Sequence, residues 1–91
     1  MITLPLFKRK NGFHYTQVLR GLEACIYEQR VSESVKYFEV FKIRIRKGKA
    51  LPGKKLETSE WFPNNESFGY WAWTFKNYED ALKKWKELEI R

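Results

Sequence analysis

A single cysteine, Cys25, excludes any disulfide within the chain. A lone thiol fits a reducing setting, so a cytoplasmic location is expected. His14 is the only histidine. One cysteine and one histidine, 11 residues apart, cannot supply the closely spaced ligands of a zinc site. A cysteine nucleophile needs a base beside it. Cys25 lies in a stretch that reads as strand, where cysteine behaves as a small buried hydrophobe. His14 and Cys25 would meet only if two strands paired in the right register. No apolar run approaches the roughly 18 residues of a membrane span, and the opening Met1–Phe7 lacks the charged start of a signal peptide. The sequence therefore predicts a non-enzymatic protein with no catalytic residue, no metal, no cofactor and no membrane partner.

Two weaker chemical signals fail on inspection. Glu57, Glu60 and Glu66 could be imagined around magnesium, but they read as solvated strand and loop residues. Gly48 to Lys55 resembles the end of a phosphate-binding loop. Lys55, however, stands where a Ser or Thr hydroxyl would hold Mg²⁺, and Pro52 removes a backbone N–H. No helix follows to present its N-terminus to phosphates.

What the sequence does hold is apolar and basic. At 91 residues it is long enough for one domain, residues 1–91, with one modest core. Hydrophobic residues make up 43%, and aromatic residues 18%, too much for a disordered tail. The net charge is +7. Seven basic residues, Lys42, Arg44, Arg46, Lys47, Lys49, Lys54 and Lys55, lie between positions 42 and 55 with no acid among them. The rest of the chain sums to zero. Such a concentration attracts phosphates or acidic surfaces.

Residues 1–12 read as a flexible N-terminal arm ending in an Asn11-Gly12 turn. Phe13 to Arg20 alternates, with Phe13, Tyr15, Gln17 and Leu19 on one side. Residues 23–31 can form a second strand. Lys36 to Lys47 has the clearest strand signal, rich in β-branched and aromatic residues. Its period of two puts Tyr37, Phe41, Ile43 and Ile45 toward a core, and Phe38, Val40, Lys42, Arg44 and Arg46 on the other face. Leu56 to Phe62 reads as a fourth strand, stopped by Pro63. Phe68 to Phe75 reads as either a short strand or an irregular crossover.

The last element has the end signals of a helix. Asn77 suits the N-cap, and Glu79 and Asp80 fall in the first turn. Tyr78, Ala81, Leu82, Trp85 and Leu88 repeat at helical spacing. Glu79–Lys83 and Asp80–Lys84 are spaced as i,i+4 ion pairs. Strands followed by a helix predict an α+β fold: an antiparallel sheet of about four strands with a C-terminal helix packed on one face.

Lys42, Arg44 and Arg46 on one strand would form a row about 6–7 Å apart, a spacing that suits successive phosphates. Lys47, Lys49, Lys54 and Lys55 would extend it through the following loop. Trp61, Tyr70, Trp71 and Trp73 could add stacking platforms. The leading expectation is a nucleic-acid-binding module, mostly electrostatic and weakly sequence-specific. The alternative is an aromatic patch at the same four residues that docks a host protein or a second copy in a homodimer. The bland reading of the charges is a solvated sheet face that discourages aggregation.

The run Glu60-Trp61-Phe62-Pro63-Asn64-Asn65-Glu66-Ser67-Phe68-Gly69-Tyr70-Trp71-Ala72-Trp73, with Tyr37-Phe38-Glu39-Val40-Phe41 before it and Tyr78-Glu79-Asp80-Ala81-Leu82 after it, resembles small uncharacterised proteins of bacteriophages and bacterial mobile elements. The resemblance spans about residues 13–90. It implies a bacterial cytoplasm and an accessory role, and it brings no activity with it.

Overall fold

The computed structural model describes residues 2–46, 48, 50, 51, 53–55, 57–64 and 67–90, with backbone alone at 50, 51, 54 and 55. Four consecutive antiparallel strands open the fold: β1 (Phe7–Lys10), β2 (Phe13–Arg20), β3 (Ala24–Arg30) and β4 (Lys36–Lys42). Four two-residue strands follow, in two small ribbons. The first pairs β5 (Ile45–Arg46) with β8 (Ser59–Glu60), and the second pairs β6 (Ala50–Leu51) with β7 (Lys54–Lys55). Strand β9 (Ala72–Phe75) returns beside β4 and completes a five-stranded sheet of order β1-β2-β3-β4-β9. Helix α1 (Tyr78–Glu89) ends the chain. The α+β fold expected from the sequence is the fold of the protein, with five strands in its sheet.

The N-terminal arm is not free. Residues 7–10 form an edge strand, joined to β2 through Asn11 and Gly12, both at positive φ (53° and 82°). Two positive φ angles are what a tight hairpin turn demands, and Asn-Gly meets that demand at least cost. Upstream, the Ile2 N–H donates to the Thr58 carbonyl at 2.9 Å and Leu4 is buried. The Leu6 carbonyl accepts from the Gln17 N–H at 2.8 Å. Backbone groups that find partners this way hold an otherwise polar, basic stretch in place.

The sheet is covered on both sides, which overturns the expectation that β4 has one core face. On one side lie Ile26, Phe38 and Val40 beneath α1, which contributes Ala81, Leu82, Trp85 and Leu88. On the other lie Tyr15, Cys25, Tyr27 and Phe41, covered by Leu4, Trp71 and the half-buried ring of Phe62. Phe62 meets Tyr15 and Tyr27 edge-on at 5.1 Å and Phe41 at 5.5 Å. Ile45, assigned to the core by alternation, is 58% exposed, because β4 ends at Lys42 and β5 pairs elsewhere. A register shift between Gln17 and Leu19 separates another predicted row. Gln17 donates to the Tyr27 hydroxyl on one side, while Leu19 packs under the helix on the other. A bulge has that effect, because one extra residue reverses the facing of those after it.

The helix begins as its sequence requires. The Asn77 side chain accepts from the Asp80 N–H at 2.9 Å. At its far end the Glu89 carboxylate accepts from the N–H groups of Glu23 (3.0 Å) and Ala24 (3.2 Å), and the Trp85 indole donates to the Ala24 carbonyl. These bonds clamp α1 to the turn between β2 and β3. The expected i,i+4 ion pairs do not form among the described residues. Lys84 instead pairs with Glu87 at 3.5 Å and stands 4.2 Å from the centre of the Trp73 ring.

Candidate nucleic-acid interface

Past Lys42 the chain changes partner. The Lys42 N–H donates to the Trp71 carbonyl and the Ile43 N–H to the Glu23 carbonyl. The Arg44 carbonyl then accepts from the Trp61 N–H at 2.8 Å, and Arg46 sits opposite Ser59. The regular row of Lys42, Arg44 and Arg46 predicted for one long strand is therefore broken. Lys42 follows Phe38 and Val40 onto the helix side by strand alternation and is half-buried. Arg44 and Arg46 lie beyond the strand, both exposed.

The change of partner brings the two arginines onto two tryptophans. The Arg44 guanidinium lies 5.3 Å from the centre of Trp71, and Arg46 lies 5.5 Å from Trp61. The indoles themselves stack, with centres 6.2 Å apart and planes 26° from parallel. The result is a ladder in the order Arg44, Trp71, Trp61, Arg46. Trp71 is 8% exposed and anchors the ladder in the core. Trp61 is 37% exposed and carries it to the surface. Neither arginine pairs with a carboxylate among the described residues.

Arg20 shows the contrasting case. Its guanidinium forms a two-pronged bond to Glu60 at 2.8 and 2.7 Å. Glu60 also accepts from the Leu4 N–H, and the Arg20 hydrogen bond, more than any other influence, holds its carboxyl below the ordinary value. Glu60 is thus a structural anchor. No group of metal-ligating side chains occurs among the described residues.

The other expected site residues lie apart. Tyr70 is 80% exposed, in the turn just before β9. Trp73 faces the helix side, opposite Val40 and beneath Lys84. The four aromatics expected to form one patch are therefore divided between the two sides of the sheet. Lys54 and Lys55 form strand β7, but their side chains lie outside the described part of the structure, as do Lys47 and Lys49 altogether. Residues 49 and 52 of the loop resembling a phosphate cradle are outside it too.

His14 and Cys25 do not meet. His14 pairs with Arg30, whereas Cys25 pairs with Arg20, six residues along β2, or roughly 20 Å. Burial pushes the Cys25 thiol up to about 12, leaving it protonated and unreactive at neutral pH.

The sequence suggested neither the joining of Arg44 and Arg46 with Trp61 and Trp71 nor the basic cluster on β1. There Lys8 and Lys10 place their ammonium groups 5.3 and 5.6 Å from the Phe62 ring centre. The Lys8-Arg9-Lys10 run was the available signal, obscured because the acids elsewhere balance it in the charge count. Among the described residues no helix is long and apolar enough to cross a membrane. Comparison with family models, curated proteins and solved structures finds no match to this chain.

Proposed function

We propose that this chain is a non-enzymatic module that binds single-stranded nucleic acid at the Arg44–Trp71–Trp61–Arg46 ladder. The observation that carries the reading is the pair of exposed guanidiniums, each laid on an indole and neither neutralised by a carboxylate among the described residues. A guanidinium is weakly hydrated and keeps its N–H donors in its own plane, free for phosphate oxygens. The indole beneath it limits its rotamers before binding, so less conformational entropy is lost when a phosphate arrives. The outer guanidinium faces and the exposed Tyr70 ring offer stacking surfaces to unpaired bases. The basic excess between residues 42 and 55 adds a long-range attraction for a polyanion.

Fluorescence anisotropy with a labelled oligothymidine, measured across a salt series, tests this reading. Affinity is expected to fall as salt rises. Arg44→Ala and Arg46→Ala should each reduce the steepness of the log–log salt dependence by roughly 0.7. Trp61→Ala removes the platform but keeps the charge. It should therefore weaken binding by about tenfold, with the steepness unchanged. Binding that ignores salt, or that none of the three variants alters, rejects the reading. A protein partner captured stoichiometrically after nuclease treatment would favour the alternative of an interaction module. That alternative has the smaller surface, since Trp71 is buried and Trp73 lies on the opposite side of the sheet.

A further inference from the structure

One charged side chain on the ladder's side of the sheet remains unexplained. Glu39 occupies the middle of β4 and is 4% exposed. Among the described residues its carboxyl makes no hydrogen bond and no ion pair. Among the described residues no side-chain oxygen that is sealed from solvent lacks a hydrogen-bond partner, so the unpaired Glu39 oxygens open onto the space in front of them. Glu39 lines a cleft of about 200 Å³ with Tyr15, Gln29 and Thr74, and Phe13 and Phe68 supply apolar parts of the lining. Half-buried Lys10 and fully buried Pro63 also line it, joined by a bond from the Lys10 ammonium to the Pro63 carbonyl at 2.7 Å. Cavities that hold whole drug-sized ligands measure about 300–1,000 Å³, and one of about 150 Å³ takes a single benzene ring. This cleft is therefore the size of one substituted ring belonging to something larger.

Its polar groups are specific. Glu39 offers two acceptor oxygens at the wall. Gln29 donates one of its two amide N–H groups to the Tyr15 hydroxyl at 2.9 Å, and its amide oxygen is a further acceptor. Lys10 spends one of its three protons on Pro63, leaving donors in the lining. A cationic ligand would meet Lys10 and a net charge of +7. A neutral ring with two adjacent N–H donors and an acceptor on its far side avoids that repulsion. Among nucleobases, guanine alone has this edge: its imino and amino N–H groups suit a carboxylate, and its carbonyl suits an ammonium. Cytosine and adenine present a ring acceptor where the carboxylate needs a donor, and thymine flanks its single N–H with two carbonyls.

The cleft is also close to the ladder. Trp61 belongs to the ladder and Pro63 to the cleft lining. Two residues of chain span at most about 7 Å. Both features sit on the sheet face opposite α1, against the same aromatic cluster.

We infer that the cleft lined by Phe13 and Phe68 receives one unpaired guanine from a strand held at the ladder, with the Glu39 carboxylate accepting from the guanine N–H edge. This rests on the nucleic-acid reading above and adds a base preference to it. Among the described residues, Lys10 is the charged group that acts on Glu39. Tyr15 and Tyr27, which flank it on β2 and β3, stay neutral because burial raises both. Burial raises Glu39 itself to about 7, so guanine, which needs the carboxylate, should bind more tightly as pH rises through neutrality.

The test compares, at pH 8, an oligothymidine undecamer with the same undecamer carrying guanine, or inosine, at its centre. The guanine strand is expected to bind the full chain about tenfold more tightly than the all-thymine strand. Inosine, which lacks the amino group, should lose most of that gain, and it reads the contact without altering the protein. Glu39→Gln should bring the guanine strand to within about twofold of the all-thymine strand, whose own affinity stays unchanged. Equal binding of the guanine and all-thymine strands by the natural chain, or a guanine preference that survives Glu39→Gln, overturns the cleft assignment and leaves the ladder standing. If no strand binds, both readings fall.

Discussion

Replacing Glu39 with glutamine should reshape how the stability of this protein depends on pH. In the folded chain the Glu39 carboxyl titrates at about 7, because burial penalises its charge more than Lys10 relieves it; its ordinary value is 4.5. Between those values the folded state keeps a proton that the unfolded state has released. Stability therefore falls with rising pH across that window and levels off above it. The contribution is intact below about 4.5 and lost by the time pH has passed 7. At about 1.36 kcal/mol per pH unit, the full loss is roughly 3 kcal/mol, a large share of the stability of a small domain. Between pH 5 and pH 8 the loss is about 2.5 kcal/mol by the same relation. Glutamine has no proton to lose. Urea unfolding of both proteins at pH 5, 6, 7 and 8 should show the stability of Glu39→Gln gaining on the natural chain by about 2.5 kcal/mol over the range. In thermal unfolding that gain corresponds to 10 °C or more in Tm. Any fixed cost of burying the amide shifts all four points equally and does not affect the slope. Glu60 and the other carboxylates titrate in both proteins and cancel. Two parallel curves would refute the reasoning, and would mean that the cleft solvates Glu39 as well as water does.

Two further predictions concern parts that hold the frame. Glu60→Gln removes the charge that binds Arg20 and weakens the anchor of the Leu4 N–H. It should cost about 2 kcal/mol at pH 7, discounted because the Arg20 side chain is 36% exposed. Since the Glu60 carboxyl is held below its ordinary value, its contribution is present at neutral pH and is lost as pH falls through the folded value. The variant and natural curves should therefore converge in acid; a constant difference down to pH 3 would contradict this. Gly21→Ala would put a methyl group 1.6 Å from the Glu89 carboxylate and 2.7 Å from the Trp85 ring. That displaces the clamp on the β2–β3 turn and should cost about 1–3 kcal/mol. The check is hydrogen exchange at the Glu23 and Ala24 amides, expected to quicken; unchanged protection there would refute the role given to Glu89.

Much of the architecture was legible because local chemistry governs it. Asn11-Gly12 tolerates the two positive φ angles of a hairpin, so the turn could be read even though the strand before it could not. Asn77 and Asp80 announce the helix start, and the Tyr78 to Leu88 stripe gives its buried side, because cap bonds and helical spacing involve residues a few positions apart. Alternation failed at β4 for a related reason. A period of two identifies two faces but does not say whether a second layer covers the outer one. Here α1 buries Phe38 and Val40, and Phe62 and Trp71 with Leu4 bury Phe41 and Tyr27.

By itself the sequence determined that the excess charge lies between residues 42 and 55, that histidine and cysteine are too few for a zinc site built from them, and that strands precede a capped helix. Only the tertiary structure decided what those charges and aromatics touch. Arg44 reaches Trp71, and Arg46 reaches Trp61, because the chain leaves β4 at Lys42 and pairs with residues 59–61 instead. Glu39 becomes the buried wall of a cleft because β1, β2 and Phe68 close around it. Contacts between residues that far apart in the chain depend on register and layer order, which arise when distant segments pack together and leave no periodic trace in the sequence.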